Sequence, residues 1–270
     1  MTDVPPEIIG YYEDAFDEAG RLFKGGWGRV ELLRTQELIL RFVPEPPAVV
    51  IDVGGGPGIY AAWLAAAGYE VHLIDPVPRH VESARARPEP ITAADGDARS
   101  LPYPEDSFDA ALLLGPLYHL IERSDRLAAL AEARRVVRPG GPILGAAISR
   151  FSSAIDGLNR GFIDDPAFRS IVRRDLTDGV HLNPNGNPRY FTTAYFHHPD
   201  ELRRDFIEAG LDDVDVCAVE GIAFAAPDLD ERMAEPSKRE QLLDVIRGLE
   251  REPTLLAATG HLLAVGRVPA

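Results

Sequence analysis

Cysteine is almost missing from this sequence of 270 residues. The single one, Cys217, excludes an internal disulfide and any zinc site built on several thiolates. A chain so poor in thiols is expected in a reducing compartment, the cytoplasm. Lysine is nearly as scarce, with only Lys24 and Lys238, and 28 basic residues face 43 acidic ones for a net charge of −15. A surface that follows a phosphate backbone needs basic stripes, so nucleic acid is not an expected partner. A nucleotide-sized ligand stays open, because one pocket can carry its own local field. No apolar run approaches the length of a membrane span. No cationic segment precedes an apolar stretch near the start, so neither a membrane nor a signal peptide is expected. Repeats and low-complexity tracts are lacking too.

What is present is ordinary globular material: 45% of residues are hydrophobic and 26% charged, in a length that suits one large domain or a core with a small cap. Residues 1–46 read as an N-terminal helical cap. An aromatic and apolar patch (Tyr11, Tyr12, Phe16, Leu22, Phe23) leads into a turn at Gly25-Gly26, and a helical pattern over 30–42 stops at Pro44, Pro46 and Pro47. From residue 47 to 149 the period changes. Short β-branched runs at 48–53, 70–75, 91–94, 108–114 and 142–149 alternate with helical patterns at 59–67, 79–87 and 125–137. That alternation predicts an α/β fold with a parallel sheet and helices on both faces. It fails over 150–199, a stretch rich in Asp, Arg, Asn, Pro and aromatics, expected to be an internal cap with short helices. It returns over 200–270 as helices at 200–209 and 241–250 and strands at 214–220 and 260–268.

The most informative loop is Asp52-Val53-Gly54-Gly55-Gly56-Pro57-Gly58, between the first predicted strand and the first helix. Its glycines let backbone approach a ligand and turn tightly. The dinucleotide fingerprint G-x-G-x-x-G is missing: counted from Gly54, the third glycine falls on Ile59. The loop has an acid two residues before its first glycine instead, which suits a cationic ligand bearing an amino group. Asp75 ends the second strand, where a carboxylate can take both hydroxyls of a ribose. Asp97, followed by Ala98, comes after the third strand and can accept from an adenine amino group. Singly, a glycine loop is often only a turn and each acid only a strand-end or loop-capping group. Together they fall at the carboxyl ends of successive strands, where doubly wound sheets bind ligands.

The chain resembles class I S-adenosylmethionine-dependent methyltransferases. The resemblance rests on Asp52 to Gly58, on Leu73-Ile74-Asp75 and on Gly96-Asp97-Ala98-Arg99-Ser100-Leu101-Pro102. It continues through Asp106-Ser107-Phe108-Asp109 and Arg138-Pro139-Gly140-Gly141. It covers residues 48–149 well and the last sixty loosely. It implies a Rossmann-like, doubly wound seven-stranded sheet in the order 3-2-1-4-5-7-6 with the last strand antiparallel. It also implies S-adenosyl-L-methionine as cofactor, with Gly54, Gly56 and Gly58 along the methionine part, Asp75 on the ribose and Asp97 on the adenine. Nucleic-acid methylation is disfavoured further, because Leu114-Gly115-Pro116-Leu117 stands where exocyclic-amine enzymes often carry Asn/Asp-Pro-Pro-Tyr/Phe.

Methyl transfer from a sulfonium is an in-line displacement. It needs alignment, exclusion of water and, for a hydroxyl acceptor, a base. By the resemblance, the loop after the fourth strand passes under the methyl group, which brings in Gly115, Tyr118 and His119; His119 is the first candidate for a base or a substrate hydrogen bond. Tyr11 and Tyr12 could close over the cofactor, or simply pack the cap against the core. Arg150, His181, Tyr195 and His198 are candidates for a small-molecule methyl acceptor in the internal cap, each with a packing or solvent reading beside it. The adjacent His197 and His198 cannot point the same way on a strand and do not form an i, i+4 pair, so no metal is assigned. The alternatives are an NAD(P)-dependent oxidoreductase on a similar sheet and a non-catalytic S-adenosylmethionine-binding protein. The acceptor atom (O, N or C) and the oligomeric state are not legible.

Overall fold

The structure, a computed structural model, describes residues 5–12 and 18–270, so Phe16 of the aromatic patch lies outside the described residues. Three helices open the chain: α1 (Pro6–Gly10), α2 (Glu18–Arg21) and α3 (Gly25–Phe42). The core then alternates β1 (Val49–Val53), α4 (Ile59–Ala66), β2 (Glu70–Asp75), α5 (Pro78–Arg85), β3 (Ile91–Asp95), β4 (Ala110–Leu113), α6 (Pro116–His119), α7 (Arg123–Val136) and β5 (Pro142–Ser149). The insertion holds α8 (Ser152–Asn159), a 3-10 turn at Phe162–Asp164, α9 (Pro166–Asp178), β6 (Val180–His181) and β7 (Ala194–His197). The chain closes with α10 (Pro199–Glu208), β8 (Asp212–Ala218), α11 (Leu229–Ala234), α12 (Pro236–Leu249) and β9 (His261–Arg267).

Strands β3, β2, β1, β4 and β5 pair in parallel in that order, β9 runs antiparallel along β5, and β8 pairs antiparallel with β9. Without the β6–β7 hairpin of the insertion, the core strands therefore run 3-2-1-4-5-7-6 with the last antiparallel, as the resemblance implied. The period-2 alternation of strand side chains splits the core in two. Val50, Val71, Leu73 and Leu144 meet Leu38 and Ile39 of α3 and Leu64 of α4 on one face. Ile51, Val53, Leu113 and Ile143 meet Leu130 and Ala133 of α7 and Phe206 of α10 on the other.

Three features differ from the sequence reading. The predicted turn at Gly25-Gly26 is the first turn of α3 itself, with Gly25 at φ +66°. And α3 packs against the sheet as a core helix; α1 and Tyr12, not α3, supply the apolar contacts to Val77 beside the end of β2. The insertion also holds a hairpin that the pattern did not reveal. Its strand β7 pairs in parallel with the end of β5 through Ile148 and Ser149, while β6 is only two residues long, too short to show alternation.

Arg34 lies on the buried face of α3. It is fully buried and ties α3 to the far end of the chain, donating to Glu37 at 2.6 Å, to the Val219 carbonyl at 3.4 Å and to Glu250. Removing one partner of a buried ion pair strands the other charge. Arg34→Ala should therefore cost about 3 kcal/mol in denaturant unfolding followed by tryptophan fluorescence. A loss within 0.5 kcal/mol, the order expected of a surface substitution, would mean that Arg41 alone satisfies Glu250.

Candidate functional site

The glycine spacing has a conformational cause. Gly54, Gly56 and Gly58 all hold positive φ, +68°, +56° and +77°, a region costly for any residue with a Cβ. Gly55 does not, but a Cβ there would lie 2.6 Å from Asp52 Oδ2 and 2.7 Å from Leu73. The loop is pinned by Gly54 N–H donating to the Ile74 carbonyl at 2.7 Å and Gly56 N–H donating to Asp75 Oδ2 at 2.8 Å. Behind it, Gly115 faces Gly54, with room for no Cβ before the Gly54 carbonyl at 2.9 Å.

These groups line a cavity of about 390 Å³, a size suited to a small ligand. Asp52 is 1% exposed on its wall, and neither carboxylate oxygen has a hydrogen-bond partner. Burial, with the charge of Asp75 nearby, pushes its carboxyl up to about 7. Asp75 Oδ1 also accepts from Val77 N–H at 2.9 Å and faces His80 Nδ1 at 3.2 Å. Asp97 and Ala98 line the same cavity. Both oxygens of Asp97 accept from Arg99, which holds the carboxyl below its usual range. Gly58 is not among the lining residues; its left-handed turn starts α4, packed on Ala84.

His119 ends α6 on this wall. Its Nδ1 faces the Thr193 carbonyl at 3.3 Å, an acceptor only, so Nδ1 carries the proton. Its Nε2 lone pair then accepts from the Tyr12 hydroxyl at 2.8 Å. Burial, opposed by Thr193 and Asp75, lowers His119 to about 4. Tyr12 lines the cavity; Tyr11, proposed from sequence, packs against Tyr12 and Phe191 and faces a second cavity instead.

That second cavity is larger, about 960 Å³, with Phe162, Phe168, Tyr190, Phe191 and Phe196 of the insertion among its lining residues. The two cavities share Tyr12, Arg21, Glu31, Tyr118 and His261. At this junction Arg21 grips both oxygens of Glu31, and Glu220 accepts from His261 Nδ1, from His261 N–H at 2.8 Å and from the Thr259 hydroxyl at 2.9 Å. Burial opposes charge on His261, but Glu31 and Glu220 outweigh it and raise the ring to about 9. Glu31, Glu220 and His261 are near enough to share an ion, yet their ligand atoms are already engaged by one another, by Arg21 and by Thr259. Of the two tyrosines that the sequence offered as a cover, Tyr12 is the one on the first cavity; Glu31 and His261 escaped sequence reasoning because no local motif joins positions so far apart.

The insertion residues proposed for substrate divide. His181 lines the second cavity, but its Nε2 meets the Tyr190 carbonyl at 2.8 Å, its Nδ1 meets Asp175 at 2.9 Å, and its ring stacks on Phe196. Arg150, Tyr195 and His198 line neither cavity. Arg150 is buried, donating to the Phe196 carbonyl, Glu201 and the Tyr195 hydroxyl; Tyr195 lies under Arg126, 4.0 Å from the ring centroid; His198 caps α10 through a reciprocal pair with Glu201. Each is spent on holding β7 and α10 to the sheet. The other histidine of the pair, His197, is buried beside Asp205. Cys217 is buried, and burial raises its thiol to about 11.

Residues 50–141 match the family model of a methyltransferase domain. This part of the chain is a methyltransferase domain. Among its relatives, it is 33% identical over 132 residues to a ubiquinone/menaquinone biosynthesis C-methyltransferase of Acidiphilium cryptum, covering 46% of this chain and 52% of that one. It is 32% identical over 105 residues to an uncharacterized methyltransferase of Mycobacterium tuberculosis, covering 39% and 42%. The matches thus span about half the length of these relatives. Among solved structures, a methyltransferase from Thermotoga maritima, described as a possible histamine N-methyltransferase, superposes with TM-score 0.60 at 18% identity, covering 97% and 99% of the two chains. Phosphoethanolamine N-methyltransferase 2 of Haemonchus contortus gives 0.59 at 16%, covering 99% and 61%. At such identities the likeness is one of fold. No helix among the described residues is long and apolar enough to cross a membrane.

The first cavity fits S-adenosylmethionine on its own chemistry. A buried carboxylate with both oxygens unpartnered awaits a positive group, and the glycine loop leaves a floor where side chains would fill the space. Because Asp52 must ionise to meet a cation, binding should release protons below pH 7 and little above it. Calorimetry of S-adenosylhomocysteine in buffers of different ionisation heat at pH 6 and pH 8.5 reads this directly. A raised acid pKa also means that the folded state binds the proton more tightly than the unfolded one, so ligand-free stability falls as pH rises from 3.8 through 7. Asp52→Asn should accordingly raise the melting temperature of the ligand-free protein at pH 8 while weakening the ligand. Equal melting temperatures for both forms would mean that Asp52 is solvated.

Proposed function

We propose that the protein transfers a methyl group from S-adenosylmethionine to an O, N or C nucleophile of a small organic molecule held in the second cavity. The carrying observation is the shared wall: a cofactor-sized cavity over the glycine loop and a roomier, aromatic one that meet at Tyr12, Glu31, Tyr118 and His261. The single cysteine supports a cytoplasmic setting. No observation favours hydride transfer: the loop departs from the dinucleotide pattern, and its extra acid, Asp52, is the group left without a partner. A purely binding role gains nothing from a second cavity.

When bound, the cofactor supplies a methyl group activated on a sulfonium. The chain's own residues bind, orient and exclude water. Asp52 answers the positive charge of the methionine amino group, and Gly54, Gly56 and Gly115 bring backbone close. Asp75 keeps lone pairs for the ribose beyond those spent on Gly56 and Val77, and Asp97 stands on the adenine side. Tyr12 and Tyr118 close the wall against water. With a pKa near 4 and its lone pair engaged, His119 serves by fixing the Tyr12 hydroxyl rather than by removing the acceptor's proton. Displacement at a sulfonium suits this, since alignment and desolvation supply much of the rate.

Titration with S-adenosylmethionine, S-adenosylhomocysteine and NADH, followed by an acceptor screen with labelled methyl, tests the reading. Micromolar binding of the first two with label transfer is expected; binding of NADH alone would overturn it. Asp75→Ala should weaken S-adenosylhomocysteine at least tenfold, because it removes an acceptor and unpins Gly56. His119→Ala and Tyr12→Phe should each slow turnover of the acceptor so found about tenfold or more, with no further loss when combined, as expected of residues acting as one unit. Additive losses would separate their roles.

A further inference from the structure

The second cavity contrasts with the rest of the chain. The protein carries a net charge of −15, yet five basic side chains line this cavity, Arg21, Lys24, Arg160, Arg189 and His261, against three acidic ones, Glu31, Asp156 and Asp230. The acids are already engaged. Glu31 is gripped by Arg21, Asp230 accepts from Gly26 N–H, and Asp156 lies 3.2 Å from Arg160. Arg189 has no such answer: its guanidinium stacks on Phe162, 4.7 Å from the ring centroid, and among the described residues no carboxylate lies within ion-pairing distance. Arg160 stacks on the same ring at 4.6 Å. One aromatic ring thus gathers two guanidiniums, both exposed, with a single acid between them. Cation–π contact offsets part of their repulsion; an anion bridging them would offset the rest, through the paired hydrogen bonds that guanidinium forms with carboxylate, sulfate or phosphate oxygens. Neither arginine lines the first cavity, so this anion site is distinct from the wall where the reacting atom must lie.

Resting on the reading of the second cavity as the acceptor's, we propose that the acceptor is an amphiphilic organic acid. Its aromatic or otherwise apolar body fills the space lined by Phe168, Tyr190, Phe191 and Phe196, and its anionic group is held by Arg160 and Arg189 over Phe162. The anion sets affinity and orientation; the methylated atom is a different part of the molecule.

A pair of fluorescent probes of nearly the same shape separates charge from packing: 8-anilinonaphthalene-1-sulfonate and its uncharged parent, N-phenyl-1-naphthylamine. The wild-type protein should bind both, the sulfonate more weakly as salt rises. Arg189→Ala with Arg160→Ala should weaken the sulfonate about tenfold and the neutral probe less than twofold. Arg189→Glu should be at least as severe for the sulfonate alone. Both positions are exposed, and thermal melts check that the fold is kept. Equal losses for both probes, an unchanged sulfonate affinity, or failure of either probe to bind would overturn the proposal. S-adenosylhomocysteine is titrated into the same proteins. Should it fail to bind even the wild type, the methyltransferase reading falls while the probe comparison still reports on the anion site.

Discussion

Asp52 is a carboxylate buried at the end of the first strand with nothing to accept from, close to a second carboxylate, Asp75. Such an arrangement opposes folding, and the surrounding geometry makes it persist. The β1 and β2 strands place the two acids in adjacent registers, since Asp52 pairs with Leu73 and Asp75 lies two residues on. The three left-handed glycines then turn the chain over them, and Gly55 leaves no atom that could shield Asp52. The floor of the cavity is thus a standing demand for positive charge. The parallel sheet, the helices on its faces and the covering N-terminal segment all serve to hold it away from water.

The opposite wall shows the reverse economy. Polar residues are many in the insertion and the C-terminal strands, but most are neutralised in pairs. Arg150 with Glu201, Arg126 with Asp205 and Arg34 with Glu250 fasten elements distant in sequence. Asp52 in one cavity and Arg189 at the other stand without a partner of opposite charge among the described residues. The neutral His119, fixed between the Thr193 carbonyl and Tyr12, joins the insertion, the core and the N-terminal segment at one ring.

The core was legible because its signals are local. The runs at 70–75 and 142–149 are the observed β2 and β5, residue for residue. The glycine motif could be read because left-handed turns and close backbone approach are written into the loop itself. The junction of the two cavities was not legible. Tyr12 and His119 meet from 107 positions apart, and Glu31 and His261 from opposite ends of the chain. Arg150, Tyr195 and His198 looked like substrate ligands because residue type alone cannot tell a polar group facing a cavity from one spent on an internal hydrogen bond. The same ambiguity hid Arg34, whose burial depends on Glu250 at the end of a distant helix.

Strand β7 belongs to the insertion in sequence but to the sheet in hydrogen bonding, continuing from β5 past the last residue that β4 covers. Swinging the insertion outward as a body would break that ladder and uncouple Arg150 from the Phe196 carbonyl. The segment of Ile8 and Tyr12 has no strand pairing; it meets the rest through apolar and ring contacts, the Tyr12–His119 bond and a Thr192 hydroxyl on the Glu7 carbonyl. The two covers of the cavities are therefore unequal in the work needed to lift them. A cover held by side-chain contacts asks less work to move than one held by a ladder, so the aromatic second cavity keeps its sheet-bound wall whatever the segment of Ile8 and Tyr12 does.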